Sequence, residues 1–178
     1  EASLALLEEA RELSVHCFDE GLDEVAACEG LSLALLVERG AEGSRSLRGY
    51  LCHRYHPPPR AELHVSRLAV PRRHRGRGHA GLLMRWALGG AARVPPEQLG
   101  WITVSSLETA VPFYARLGFV PEPGPKVAAE GSDPQTWMRL PSTSVIPRAP
   151  APAAAAAAAP GPPPPEGQRV ASAAGAEA

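Results

Sequence analysis

RRHRGRGHAGLLM, residues 72–84, decides how the rest of the chain is read. Arg72, Arg73, Arg75 and Arg77 surround Gly76 and Gly78, and an apolar run follows at once. Upstream, AELHVSRLAV (61–70) reads as a strand that Pro71 ends. Downstream, Gly78 to about Arg93 reads as a helix, with Leu82, Leu83, Trp86 and Ala87 on one side and Pro95 and Pro96 as its stop. A glycine-rich turn that opens a helix presents unpaired backbone N–H groups at the positive end of the helix dipole. Gly76 and Gly78 let the backbone approach an anion closely, and Arg73, Arg75 and Arg77 add charge-assisted donors. The arrangement suits a pyrophosphate.

Other uses of the loop fit less well. GRGHAG (76–81) matches GxGxxG, but the dinucleotide fingerprint needs its glycines directly at a strand end and an acid roughly 20 residues on. Here 71–75 intervene, and the next strand ends in Ser105 and Ser106. No GK[ST] follows, so a Walker A loop is excluded. The four arginines lack interleaved aromatics, and the formal net charge of −1 argues against general attraction to nucleic acid or membrane. A basic loop on a solvated surface is the structural alternative.

Working outward, residues 2–13 read as an amphipathic helix, and a second helix is expected over 22–27, stopping at Gly30. LSLALLVERG (31–40) and LRGYLCHRY (47–55) flank an AEGS turn and read as an antiparallel hairpin. WITVSS (101–106) is a strand of β-branched and aromatic residues. LETAVPFYARLGF starts a helix near Glu108 that Gly118 caps. Val120 to Asp133 reads as a loop, and TWMRL (136–140) as a closing strand. From Pro141 the composition changes to Ala and Pro with almost no large apolar residue, so 141–178 is expected to be a disordered tail and 1–140 the folded domain.

Cys17, Cys28 and Cys52 are odd in number and lack CxxC spacing, which fits reduced thiols and a cytoplasmic setting. No run is apolar enough to span a membrane. His53 and His56 near Cys52 would point to opposite faces of a strand, so no metal site is expected.

With these residues in view, VPRRHRGRGHAGLLM resembles the acetyl-CoA-binding motif of the GNAT superfamily of N-acetyltransferases. Its [QR]xxGx[GA] pattern would be Arg75-Gly76-Arg77-Gly78-His79-Ala80. VPFYARLGF (111–119) resembles the second family motif. LSV, LDEV, LSLALLVE, LHV…LAV and AVPFYARLGF, in that order, are similar to the arylalkylamine (serotonin) branch, and the likeness spans roughly residues 5–140. The resemblance implies an α/β fold, a mixed central sheet flanked by helices. That fold usually opens with a strand before the first helix. This sequence starts at the helix, so that strand is expected to be missing or to lie outside this stretch, with a sheet edge exposed.

The resemblance also implies chemistry. An amine would attack the thioester of acetyl-CoA directly, in a ternary complex. Leu68, Ala69 and Val70 would offer backbone groups to the pantetheine arm, and Gly76 through Gly81 (Arg77, Gly78, His79 and Ala80 between them) would wrap the pyrophosphate. The strands 61–70 and 101–106 should splay to admit the arm. Tyr114 matches the tyrosine that protonates the leaving thiolate. Apart from the resemblance, Ser105 at the second strand's end could contact the acceptor or equally be a loop residue.

The base is open between two residues. Alternation places Glu62, His64 and Ser66 on one face of the strand. Counted back from Val70 without a gap, His64 and Ser66 fall on the family's two histidines. Aligned on the LH dipeptide, Glu62 and His64 do, and two residues must bulge. An unperturbed histidine has a pKa of about 6.5, near the working pH, and Glu62 could act through a water. The expected acceptor is a small primary amine, an arylalkylamine by the resemblance, and no protein partner is legible. A peptide N-acetyltransferase and a catalytically silent binding module are the rival readings.

Overall fold

The computed structural model describes residues 2–23, 30–123 and 134–145. The chain divides into two compact units, Glu1–Pro147 and Arg148–Ala178, and everything described belongs to the first. The expected second helix lies mostly outside the described residues, and so does nearly all of the expected tail.

The first helix, α1 (Ala2–Phe18), runs five residues further than its amphipathic pattern suggests. Asp19, at φ 56°, ends it in the left-handed region. The hairpin forms as expected from β1 (Leu31–Arg39) and β2 (Arg45–His56), antiparallel, joined by a single 3-10 turn at Ala41–Gly43. The third strand, β3 (Glu62–Ala69), pairs antiparallel with β2 and parallel with β4 (Trp101–Leu107). Between them runs α2 (His79–Ala91), the crossover that a parallel pair requires. A 3-10 turn at Glu108–Ala110 then leads into a short helix, α3 (Val111–Ala115). Gly118, at φ 93°, turns the chain after α3 while Phe119 N–H bonds back to Tyr114 O.

Two residues of the expected loop form a strand. β5 (Val120–Pro121) pairs with β6 (Gln135–Pro141), and β6 pairs with β4. The sheet order is β1-β2-β3-β4-β6-β5, mixed and six-stranded. Among the described residues β1 is one edge of this sheet and no strand precedes α1. The fold holds beyond Pro141: a turn at Ser142–Ser144 returns Ser142 N–H to Gly100 O at 3.0 Å.

Two apolar layers sandwich the sheet. On one face Leu63, Val65, Ile102, Val104, Met138 and Leu140 meet Leu83, Met84 and Ala87 of α2 and Tyr114 of α3. On the other, Leu47, Tyr50, Cys52 and Ala69 meet Leu6 and Ala10 of α1. Each fully buried Leu or Met contributes about 1.5–3 kcal/mol. The α2 face differs from expectation. Leu83 and Ala87 turn inward with Met84 and Ala91, whereas Leu82 and Trp86 are exposed. HAGLLMRWALGGA is apolar almost all round, so periodicity does not choose its inner side.

Candidate functional site

β3 carries an irregularity that organises the site. Cys52 pairs with Arg67 and His53 with Val65, so Ser66 is the extra residue of a bulge. Its consequence shows in the packing: Val65 and Ala69, four residues apart, face opposite layers, which strict alternation forbids. Glu62 and His64 do share a face, but the alternation expected to bring Ser66 beside them ends at the bulge. Ser66 Oγ instead donates to Cys52 O at 3.4 Å.

Beyond the bulge, β3 and β4 part. Their parallel pairing runs from Glu62–Trp101 to Val65–Val104 and stops there. Leu68 and Ala69 keep only their β2 partners, Leu51 and Tyr50, and Val70 lies just past the strand. The expected splay is therefore present, and Leu68 to Val70 line its β3 side. On the β4 side, Ser105 is the first residue past the last pair, and its hydroxyl donates to Gln135 Oε1.

Val70 to Arg75 separate the end of β3 from the glycines of the loop. A 3-10 turn at Arg72–His74 is closed by His74 N–H to Pro71 O at 2.8 Å. Arg75 Nε donates to Val70 O at 3.0 Å, bracing the loop against the strand end. Thus Arg75, expected as an anion donor, is at least partly engaged in holding the loop. His74 is buried and bonded to Arg48, which in turn pairs with Glu38 of β1. Arg77 is exposed, and His79 and Ala80 begin α2 half-buried.

Gly76 and Gly78 have φ of 75° and 80°, and a Cβ on either would stand in open space. Only glycine adopts that conformation without strain. Gly78 is the N-cap of α2 and supplies no capping side chain. The N–H groups of the first turn, Gly81 included, therefore find no partner within the helix. Unhindered backbone at the positive end of a helix fits a diphosphate.

A polar cluster occupies the opposite face from α2, where β3 and β4 are still paired. Arg60 donates to both carboxylate oxygens of Glu62, through Nε at 2.7 Å and Nη2 at 3.3 Å. Thr103 Oγ1 donates to Glu62 Oε1 as well. His64 Nδ1 lies 2.9 Å from Thr103 Oγ1, and its ring stacks on Trp137 with centroids 5.1 Å apart. Burial works to raise the Glu62 pKa, but bonds from Arg60 and Thr103 outweigh it and hold the carboxyl below its usual range. Burial pushes the His64 pKa down, with Glu62 opposing and Arg60, His56 and Arg54 assisting. Around neutrality the pair is thus a carboxylate beside a neutral imidazole.

Tyr114 belongs to the other layer. It is buried, edge-on to Phe113 at 5.0 Å and Phe119 at 5.8 Å. Burial raises its pKa to about 12. The structure therefore does not join all the expected residues in one cluster. Glu62 and His64 stand on one face, Tyr114 on the other, and the fork between β3 and β4 begins one residue beyond His64. Thr103 escaped sequence reading. Its signal is the pattern Ile102-Thr103-Val104, a polar residue facing away from two core residues on the strand next to His64.

Residues 45–140 match the acetyltransferase (GNAT) domain, more than half of the chain. The chain belongs to the GNAT acetyltransferase family. As a GNAT enzyme it is an N-acetyltransferase, and acetyl-CoA is its acyl donor. Solved structures share the fold of this GNAT domain. Tetrahymena GCN5 is 15% identical with a TM-score of 0.60, over 84% of this chain and 92% of that one. Arabidopsis thaliana NAA60, in complex with a bisubstrate analogue, is 13% identical with a TM-score of 0.64, over 77% and 92%. An aminoglycoside 6'-N-acetyltransferase complexed with coenzyme A is 16% identical with a TM-score of 0.61, over 82% and 93%. No curated protein sequence gives a significant match. No helix among the described residues of this GNAT domain is long and apolar enough to cross a membrane.

Proposed function

We propose that this GNAT enzyme acetylates a small primary amine, with arylalkylamines as the favoured class, in the cytoplasm. The observation that carries the mechanism is the fork after Val65 and Val104, with His64 one residue inside it and the bare start of α2 at the end of the same strand. Acetyl-CoA supplies an activated acyl carbon. The Leu68–Val70 edge holds its pantetheine arm by strand-like hydrogen bonds. Backbone N–H groups from Gly76 to Gly81 hold its diphosphate.

The acceptor enters as an ammonium and must lose a proton before it attacks the thioester directly. His64 is the base. Glu62 is the poorer candidate, because Arg60 and Thr103 already engage its oxygens and stabilise its ionised form. A depressed imidazole pKa keeps His64 neutral and ready near pH 7. Tyr114, with its pKa near 12, remains a phenol at working pH and gives its proton to the departing sulfur.

Two tryptophans on the β4–β6 face support an aromatic acceptor. Trp137 stacks on His64, and Trp101 is 38% exposed with Arg139 over its ring at 4.5 Å. Free thiols at Cys17 and Cys52 support the cytoplasmic setting. The test is CoA release from acetyl-CoA with tryptamine, a polyamine and a lysine peptide. Turnover with tryptamine and little with the others is expected. Preference for the peptide would replace the acceptor class, and cofactor binding without any turnover would make the chain a silent binding module.

A further inference from the structure

A neutral histidine can hold its proton on either ring nitrogen, and only the bare nitrogen can act as a base. Around His64 the hydrogen-bond inventory leaves one arrangement. Glu62 is ionised, with Arg60 bonded to both of its oxygens, so it can only accept. The Thr103 hydroxyl has a single proton, and that proton goes to Glu62 Oε1. Thr103 Oγ1 then has lone pairs alone to offer His64 Nδ1, 2.9 Å away. Nδ1 must therefore carry the hydrogen. The direct path from Nδ1 to Glu62 Oε1 is 3.8 Å, too long for a hydrogen bond.

Resting on the proposed role of His64 as base, we infer that Thr103 is a positioning residue that fixes His64 as its Nδ1–H tautomer, leaving the Nε2 lone pair to take the acceptor's proton. In the step itself an N–H bond of the ammonium breaks, an Nε2–H bond forms, and the freed electron pair stays on the amine nitrogen. The imidazolium that results keeps its Nδ1–H on Thr103, whose hydroxyl stays polarised by the Glu62 carboxylate. Trp137 stacks on the ring and supports its orientation. The supports come from neighbouring strands in register. Thr103 lies opposite His64 across β3–β4, and Trp137 opposite Ser105 across β4–β6. The charged and titratable groups bearing on the imidazole are Glu62 on β3, Arg60 before it, and Arg54 and His56 on β2. β4 and β6 present Thr103 and Trp137, which do not titrate in this range, and Arg139, which lies opposite Thr103 with its guanidinium over Trp101 and paired with Glu122.

The test pairs Thr103→Val, close in shape but without the hydroxyl, with Thr103→Ser, which keeps it. Nitrogen-15 shifts of His64 in the resting full chain should show protonated Nδ1 and bare Nε2 in the parent and in Thr103→Ser. In Thr103→Val they should show a tautomer mixture. With the best acceptor amine, kcat of Thr103→Val should fall at least about tenfold, short of the 10²–10⁴ lost with a general base, and the acid limb of kcat/KM should move. KM for acetyl-CoA should stay put, and serine should restore the rate. A parent His64 protonated on Nε2, or a Thr103→Val variant that folds with the parent's tautomer and pH profile, overturns the assignment. The shifts are read without substrate. A parent that acetylates no amine therefore defeats the proposed function, while the tautomer result is judged separately.

Discussion

Replacing Tyr114 by phenylalanine removes one oxygen from the protein and leaves the ring in place. The ring is 7% exposed and meets Phe113 and Phe119 edge-on. Phenylalanine preserves both contacts, each worth about 0.5–1.5 kcal/mol beyond burial. The change in stability should therefore stay within about 1 kcal/mol, the net worth of a typical hydrogen bond. The catalytic effect is of another size. With a pKa near 12 the phenol is protonated throughout the usable pH range, so the parent always has its acid ready. Losing general-acid help typically slows a reaction ~10²–10⁴-fold, or about 2.7–5.4 kcal/mol on the barrier. Steady-state thiol release should show that loss in kcat, while calorimetry finds acetyl-CoA binding unchanged. The alkaline limb should also survive the substitution, because a group titrating near 12 cannot be its source. A folded variant that turns over at the parent rate would remove Tyr114 from the mechanism.

Two glycine substitutions separate strain in the fold from loss of the donor site. A Cβ on Gly49 would come 2.7 Å from Ala69 O and 3.2 Å from Leu83 Cδ1, so Gly49→Ala should cost about 1–3 kcal/mol, typical of overpacking. A thermal melt reads this, and an unchanged midpoint would show that the β2–β3 contact yields freely. At Gly78 the added methyl meets no atom within 4 Å, but φ of 80° costs an L-residue about 1–2 kcal/mol. Gly78→Ala should therefore melt modestly earlier yet lose much more of its affinity for acetyl-CoA. Equal affinity in calorimetry would contradict the proposed diphosphate seat.

Much of this molecule is legible locally. The hairpin, the glycine loop and the strand before it follow from apolar runs and turn residues that lie side by side in the sequence. The splay follows from family likeness alone, and it agrees with the end of the β3–β4 pairing at Val65 and Val104. What escaped depends on distant partners. β5 exists because Val120 and Pro121 meet Arg139 and Met138, which no local pattern around Val120 records. Thr103 matters through Glu62 and His64, about forty residues earlier. The four residues expected on one side of α2 divide between core and surface because its sequence is apolar on nearly every side, and the sheet makes the choice. Alternation along β3 failed beyond His64 because composition does not announce a bulge.

Ser66 divides one strand into two independent halves. A chain one residue shorter or longer at that point would rotate the segment on one side by half a twist relative to the other. The end that meets the acyl donor could then stay as it is, while Glu62 and His64 would turn into the apolar layer and Leu63 and Val65 out of it. Chain length at this single position thus keeps His64 out of the core independently of the donor's seat.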